Sequence, residues 1–181
     1  MDGDLGKRIK RLEAIEEIRQ LAVRYAAGLD ARDLIAVIGL FVDDGRNVFY
    51  RGEDGVAGGE ALKASYNVTQ RRYTNSQHFV GNHVIEIDDD DHAHGAVYCR
   101  VEQELGEKWT ITQMHYQDRY ERHDGRWYFA ERRTASWYFT EWNEAPAGPK
   151  KLRYPDRPHE DAVIPRAWPA WDKFWEAGPP S

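Results

Sequence analysis

Ile15, Ile18, Ala22, Tyr25 and Leu29 recur at steps of three and four, with Glu16, Glu17, Arg19 and Arg24 between them. That period lines apolar side chains along one helix face and predicts a helix ending near Gly28-Leu29-Asp30. A second, short helix follows, with Leu34, Val37, Ile38 and Phe41 as its buried stripe and Asp43-Asp44-Gly45 as the turn that closes it. Residues 46–51 read as a short strand, 52–59 as a loop, and 60–69 as a helix with Leu62 and Tyr66 inward.

From Ser76 the period falls to two, which is the mark of strands. Residues 78–87 form the first of these, ending in the acidic turn Asp88 to Asp91. In 93–105, Ala93, Val97, Cys99 and Val101 share one face, while His94, Tyr98, Arg100 and Glu102 share the other. Residues 109–122 make a third long strand, His123-Asp124-Gly125 a tight hairpin turn, and 126–139 the last strand.

After Glu141 the chain changes character. All eight prolines lie beyond this point, and proline interrupts both helix interiors and central strands. Trp168, Trp171, Phe174 and Trp175 are nonetheless too apolar for a free tail. The pattern therefore predicts a main domain over 1–142 and an extended arm over 143–181, docked on its own body or on a neighbouring subunit. Helices followed by long antiparallel strands indicate an α+β fold, with helices on one face of a curved sheet.

Composition narrows the function classes. The chain has 31 acidic and 25 basic side chains, a net charge of −6, which disfavours a polyanionic partner and so a nucleic acid. No apolar run approaches the roughly 18 residues of a membrane span, and the N-terminus lacks the apolar core of a secretory signal. A cytoplasmic location is the default expectation. The single cysteine, Cys99, precludes an internal disulfide and any multi-cysteine metal site. Seven Trp and ten Tyr suit both a pocket wall and a packed core.

Three stretches together resemble the SnoaL-like group of the nuclear transport factor 2-like superfamily. They are the segment from Ile15 to Tyr25 running on to Gly28-Leu29-Asp30-Ala31-Arg32-Asp33, then Gln77-His78-Phe79-Val80-Gly81-Asn82, and finally Tyr120 to Phe129 around His123-Asp124-Gly125. The resemblance implies a cone: a curved sheet wrapped around N-terminal helices, enclosing a cavity. It is similar in pattern to scytalone dehydratase, bile acid 7α-dehydratase and hexachlorocyclohexane dehydrochlorinase, which remove a proton from a cyclic apolar substrate and expel a leaving group. In those enzymes an Asp at the end of the first helix pairs with a His on a strand, and the matching positions here are Asp30 and His78. Tyr25 stands where the bile acid enzyme has a Tyr, and Tyr50 where scytalone dehydratase has one. Departures from scytalone dehydratase fall at Leu29, Gln103, Met114 and Tyr116, so its substrate does not carry over.

The chemistry implied is cofactor-free proton abstraction, with His78 as base, Asp30 orienting it and Tyr25 donating a hydrogen bond. On the residues alone, Asp30 could equally cap the second helix and Tyr25 could be a satisfied core tyrosine. Asn82 shares a strand face with His78 by alternation and could bind a polar substrate group. Trp127 and Trp137 are expected in the cavity wall. His92 and His94 form an H-x-H pair without an evident third ligand, so no metal is expected. Gly55-Val56-Ala57-Gly58-Gly59 reads as a mobile loop at the cavity mouth. The expected ligand is small, largely apolar and cyclic, and the expected assembly is a homodimer or homotrimer in which the arm contributes contacts. A non-catalytic binding or structural subunit, like the dioxygenase small subunit, is the alternative.

Overall fold

The structure, a computed structural model, describes residues 2–49, 55–142 and 169–178. Helix α1 (Asp2–Asp30) is followed by α2 (Leu34–Ile38), strands β1 (Phe41–Phe49) and β2 (Val56–Ala57), and helix α3 (Gly59–Gln70). Four long strands come next, β3 (Asn75–Ile87), β4 (His92–Leu105), β5 (Lys108–His123) and β6 (Arg126–Glu141), and the described chain ends in α4 (Pro169–Glu176).

The strands form one six-stranded sheet in the order β2-β1-β6-β5-β4-β3. β1 runs parallel to β6 and every other pair is antiparallel, so the sheet is mixed. The helices pack on its inner face. Ile18, Leu21, Ala22, Tyr25 and Leu29 of α1 are buried, and they meet Val97, Val101, Tyr116, Tyr120 and Phe129 of the sheet in a single apolar cluster. The fold is therefore the expected α+β arrangement, an unclosed curved sheet around N-terminal helices.

Four local readings are corrected. α1 begins well before Ile15, at Asp2; residues 4–13 continue the helix as a solvent-exposed overhang in which Leu5, Ile9 and Leu12 keep the helical spacing without being buried. Asp43-Asp44-Gly45 does not close α2. It lies within β1, where the pairing with β6 shifts between Phe41–Phe129 and Arg46–Glu131, an irregularity that takes up three extra residues of β1. The glycine segment at 55–59 supplies β2 and then Gly58, the N-cap of α3. The end of the arm is helical, since Pro169 occupies the first turn of α4, where a missing N–H costs no bond. Trp171 and Phe174 of α4 are buried against the same chain. Residues 143–168, including Trp168, lie outside the described residues, as does Tyr50.

Among the described residues, no helix is long and apolar enough to cross a membrane.

Candidate functional site

Asp30 is the last residue of α1, and the next residues carry the chain out of the helix. Arg32 adopts a left-handed backbone, φ 60°, and Asp33 caps α2 by accepting from the Ala36 N–H at 3.0 Å. The cap is thus Asp33, which leaves the Asp30 carboxylate for other partners.

Those partners are on β3. The backbone N–H of His78 donates to Asp30 Oδ2 at 2.8 Å, and His78 Nδ1 lies 2.6 Å from Asp30 Oδ1. Ser76, two residues earlier on the same strand face, donates to Asp30 Oδ1 at 3.1 Å. The Ser76 hydroxyl in turn accepts from Arg32 at 2.7 Å. A carboxylate can only accept, so in the neutral ring this geometry puts the His78 proton on Nδ1 and leaves the lone pair on Nε2. The His78 side chain is 4% exposed.

His78 lines a cavity of about 410 Å³ together with Tyr25, Tyr66, Gln70, Gln103, Met114, Tyr116 and Phe139. The volume lies within the roughly 300–1,000 Å³ of small-molecule sites. Among the described residues, no Lys, Arg, Asp or Glu is part of this lining. Tyr25 is buried, and its hydroxyl sits 3.2 Å from that of Tyr66, which accepts from Asn47 Nδ2 at 2.6 Å. Burial raises the Tyr25 pKa, Arg132 opposing, so the hydroxyl keeps its proton at neutral pH.

Arg132 is the residue that sequence reasoning undervalued. It is fully buried behind the cavity wall, donating to Asp118 at 2.9 and 2.7 Å. Its guanidinium stacks 4.2 Å from the ring centroids of both Tyr25 and Tyr116. Burial disfavours its charge, but Asp118 more than offsets this and the pKa is raised. Tyr120 donates to the same carboxylate at 3.0 Å, and His83 Nε2 lies 3.0 Å from the Tyr120 hydroxyl. A buried ionic network therefore runs from β3 through β5 to β6 beneath the tyrosines. The signal available in the sequence was a charged residue on each inner face, Asp118 between Tyr116 and Tyr120, and Arg132.

Three expected wall residues are placed elsewhere. Asn82 is exposed because β3 bulges between Val80 and His83, which turns Asn82 outward and His83 inward. Trp137 is 68% exposed on the outer face, near Tyr98. The register shift between the Tyr120–Phe129 and Arg119–Glu131 pairs reverses the alternation before it is reached, and a second shift falls at Trp137 itself. Trp127 is buried in the apolar cluster and is not part of the cavity lining. Tyr66, Tyr116 and Phe139 take the aromatic positions instead.

His92 and His94 pair with Asp89 and Asp88, each at 2.9 Å, on the exposed side of the sheet. Among the described residues, no three His, Cys, Asp or Glu side chains are grouped as metal ligands would be.

Residues 10–133 match the SnoaL-like domain family. The chain belongs to that family. A hexachlorocyclohexane dehydrochlorinase, LinA type 2, superposes with a TM-score of 0.72 at 22% identity, covering 83% of this chain and 99% of that one. A putative scytalone dehydratase from Novosphingobium aromaticivorans gives 0.69 at 18% identity, covering 76% and 93%. A protein of unknown function from Mycobacterium tuberculosis gives 0.64 at 26% identity, covering 70% and 73%. These likenesses carry the fold, nuclear transport factor 2-like. No curated protein matches the sequence significantly.

Proposed function

We propose that this SnoaL-like protein is a lyase or isomerase that removes a proton from a small, largely apolar, ring-bearing substrate. The observation that carries the reading is His78, whose Nδ1 is held by Asp30 at 2.6 Å while its ring lines the cavity. In the proposed step the free Nε2 takes a proton from a substrate C–H. The released electron pair forms a double bond, either as a leaving group departs from the adjacent carbon or as a carbonyl becomes an enolate. Asp30 stabilises the imidazolium that results. Tyr25 donates to the leaving group or the developing oxyanion, and Tyr66, itself receiving a bond from Asn47, orients that hydroxyl. The base, its partner and the donor are all protein groups, so the step calls for no cofactor.

Among the described residues the cavity wall carries no fixed charge, which disfavours nucleotides and sugar phosphates, whose charges would be buried unpaired. It suits rings carrying a few hydroxyl or carbonyl groups. The test is solvent deuterium exchange and elimination, followed by NMR, over a panel of cyclic ketones, hydroxylated aromatics and steroid-like compounds. His78→Gln should abolish any turnover while leaving the fold intact. Binding without turnover, unchanged in His78→Gln, would favour a non-catalytic binding protein.

A homodimer or homotrimer is part of the same reading. Phe79, Trp137, Tyr138 and Trp142 are exposed, and a contact between copies would cover such side chains. A light-scattering mass of 21.1 kDa, that of one chain, at micromolar concentration would rule this out.

A further inference from the structure

A second recess lies among α2, α3 and α4, distinct from the cavity of His78. It encloses about 610 Å³. Leu34, Ile35, Pro169 and Phe174 give it apolar walls, and Ile35 is 76% exposed there. Arg32, Lys63, Arg71 and Lys173 also line it, against a single carboxylate, Asp33. That carboxylate is already engaged as the cap of α2.

The local charge runs against the chain's net charge of −6. Arg32 is 2% exposed, and among the described residues its guanidinium donates to neutral groups: Leu29 O at 2.7 Å, Ser76 Oγ at 2.7 Å and Tyr73 O at 3.0 Å. Its Nε is buried with no hydrogen-bond partner among the described residues. Arg71 donates to Asn67 Oδ1 at 2.7 Å and to the Phe174 carbonyl, again neutral acceptors. Burial lowers the Arg32 pKa to about 10, Asp30 opposing, so the group stays charged at neutral pH. Four cations beside an apolar wall, with Asp33 the one carboxylate lining the recess among the described residues, complement an amphipathic anion.

We propose that this recess is a second ligand site, which binds a small organic carboxylate with a hydrocarbon body. The carboxylate takes the Lys63 and Lys173 side of the recess, and the hydrocarbon covers Ile35 and Phe174. Lys63 and Lys173 have no part in the chemistry proposed at His78.

The experiment uses octanoate as the probe, with octanol and inorganic phosphate as comparisons, on the full chain. Binding is followed by calorimetry and by the methyl resonances of Ile35, Leu34 and Met114. Octanoate should bind saturably, shift Ile35 and Leu34 rather than Met114, and outcompete both comparison compounds. The double variant Lys63→Gln/Lys173→Gln, at two exposed positions, should keep the wild-type fold and weaken octanoate by about tenfold. Absence of saturable binding, equal affinity for octanol, unchanged affinity in the double variant, or shifts confined to Met114 would each overturn the proposal.

Discussion

Asp118 and Arg132 face one another across β5 and β6, joined by two hydrogen bonds of 2.9 and 2.7 Å with neither side chain exposed. Each has the other as its charge partner, and Tyr120 adds a third bond to the carboxylate. A buried ion pair is costly to break from one side, because the survivor is left as an uncompensated charge. Asp118→Asn should therefore destabilise the protein by about 3–5 kcal/mol. The paired apolar change Asp118→Leu/Arg132→Met should cost much less. Denaturant titrations of the two variants separate these outcomes.

His83 gives a pH signature. Its pKa is lowered to about 4. Burial is the largest cause, opposed by Asp118 and reinforced by Arg132 and Arg19. The Tyr120 hydroxyl gives its proton to Asp118, so His83 Nε2 donates to Tyr120 and Nδ1 stays bare. Below roughly pH 6.5 the unfolded chain binds a proton at this residue that the folded chain refuses. The stabilisation is thus complete above that pH and is lost as pH falls toward 4. After discounting for partial solvent screening, the wild type should lose roughly 1–2 kcal/mol more than His83→Gln across that window. Parallel stability curves for the two proteins would show that His83 is not held neutral.

Much of this architecture was legible because its burial is periodic. The buried stripe of α1 and the inner face of β4, Ala93, Val97, Cys99 and Val101, lie where simple alternation puts them. What alternation does not encode is a bulge. From the hairpin at Asp124-Gly125, pairing runs in step as far as Tyr120 with Phe129. It then slips by one, so that Asp118 meets Arg132 rather than Glu131, and slips again between Gln113 and Met114. Each slip turns later residues of β6 over, which is why Trp137 faces outward and Phe139 lines the cavity. Asn82 was misplaced by the same cause on β3. The pairing of Asp30 with His78 has no local signature at all, being a contact between residues 48 apart. It was indicated by resemblance rather than by pattern.

Cys99 is 1% exposed on the inner face of β4, and burial pushes its thiol pKa up to about 11. Both accessibility and thiolate fraction are then very low at pH 8. The native protein should be inert to a thiol reagent such as 5,5′-dithiobis(2-nitrobenzoate) over the time in which the denatured chain reacts fully. Rapid native modification at pH 8 would mean that β4 opens easily beneath α1.

Gly95 tests the tight pairing of β3 and β4. A Cβ added there would lie 2.4 Å from the Val84 carbonyl oxygen, a backbone atom that cannot rotate away. The strands must separate locally to admit it, so Gly95→Ala should cost about 1–3 kcal/mol. Gly106→Ala is the informative contrast, because nothing lies within 4 Å of its Cβ position and the strain there is in the backbone alone, φ 60°. Thermal unfolding of both variants should rank Gly95→Ala as the more damaging.

The final prediction concerns the proton on His78. Asp30 Oδ1 can only accept, so neutral His78 should carry its proton on Nδ1 and present an unprotonated Nε2. Asp30→Asn replaces an obligatory acceptor with a group that can also donate. An amide N–H turned toward Nδ1 favours the opposite tautomer, which holds the proton on Nε2 and removes the free lone pair. Nitrogen-15 NMR distinguishes the two forms without a substrate. The wild type should show a pyrrole-type Nδ1 and a pyridine-type Nε2 for His78, and Asp30→Asn should invert or mix them. If the wild type is already protonated at Nε2 in its neutral form, the lone pair assigned to proton abstraction is absent, and His78 cannot be the base.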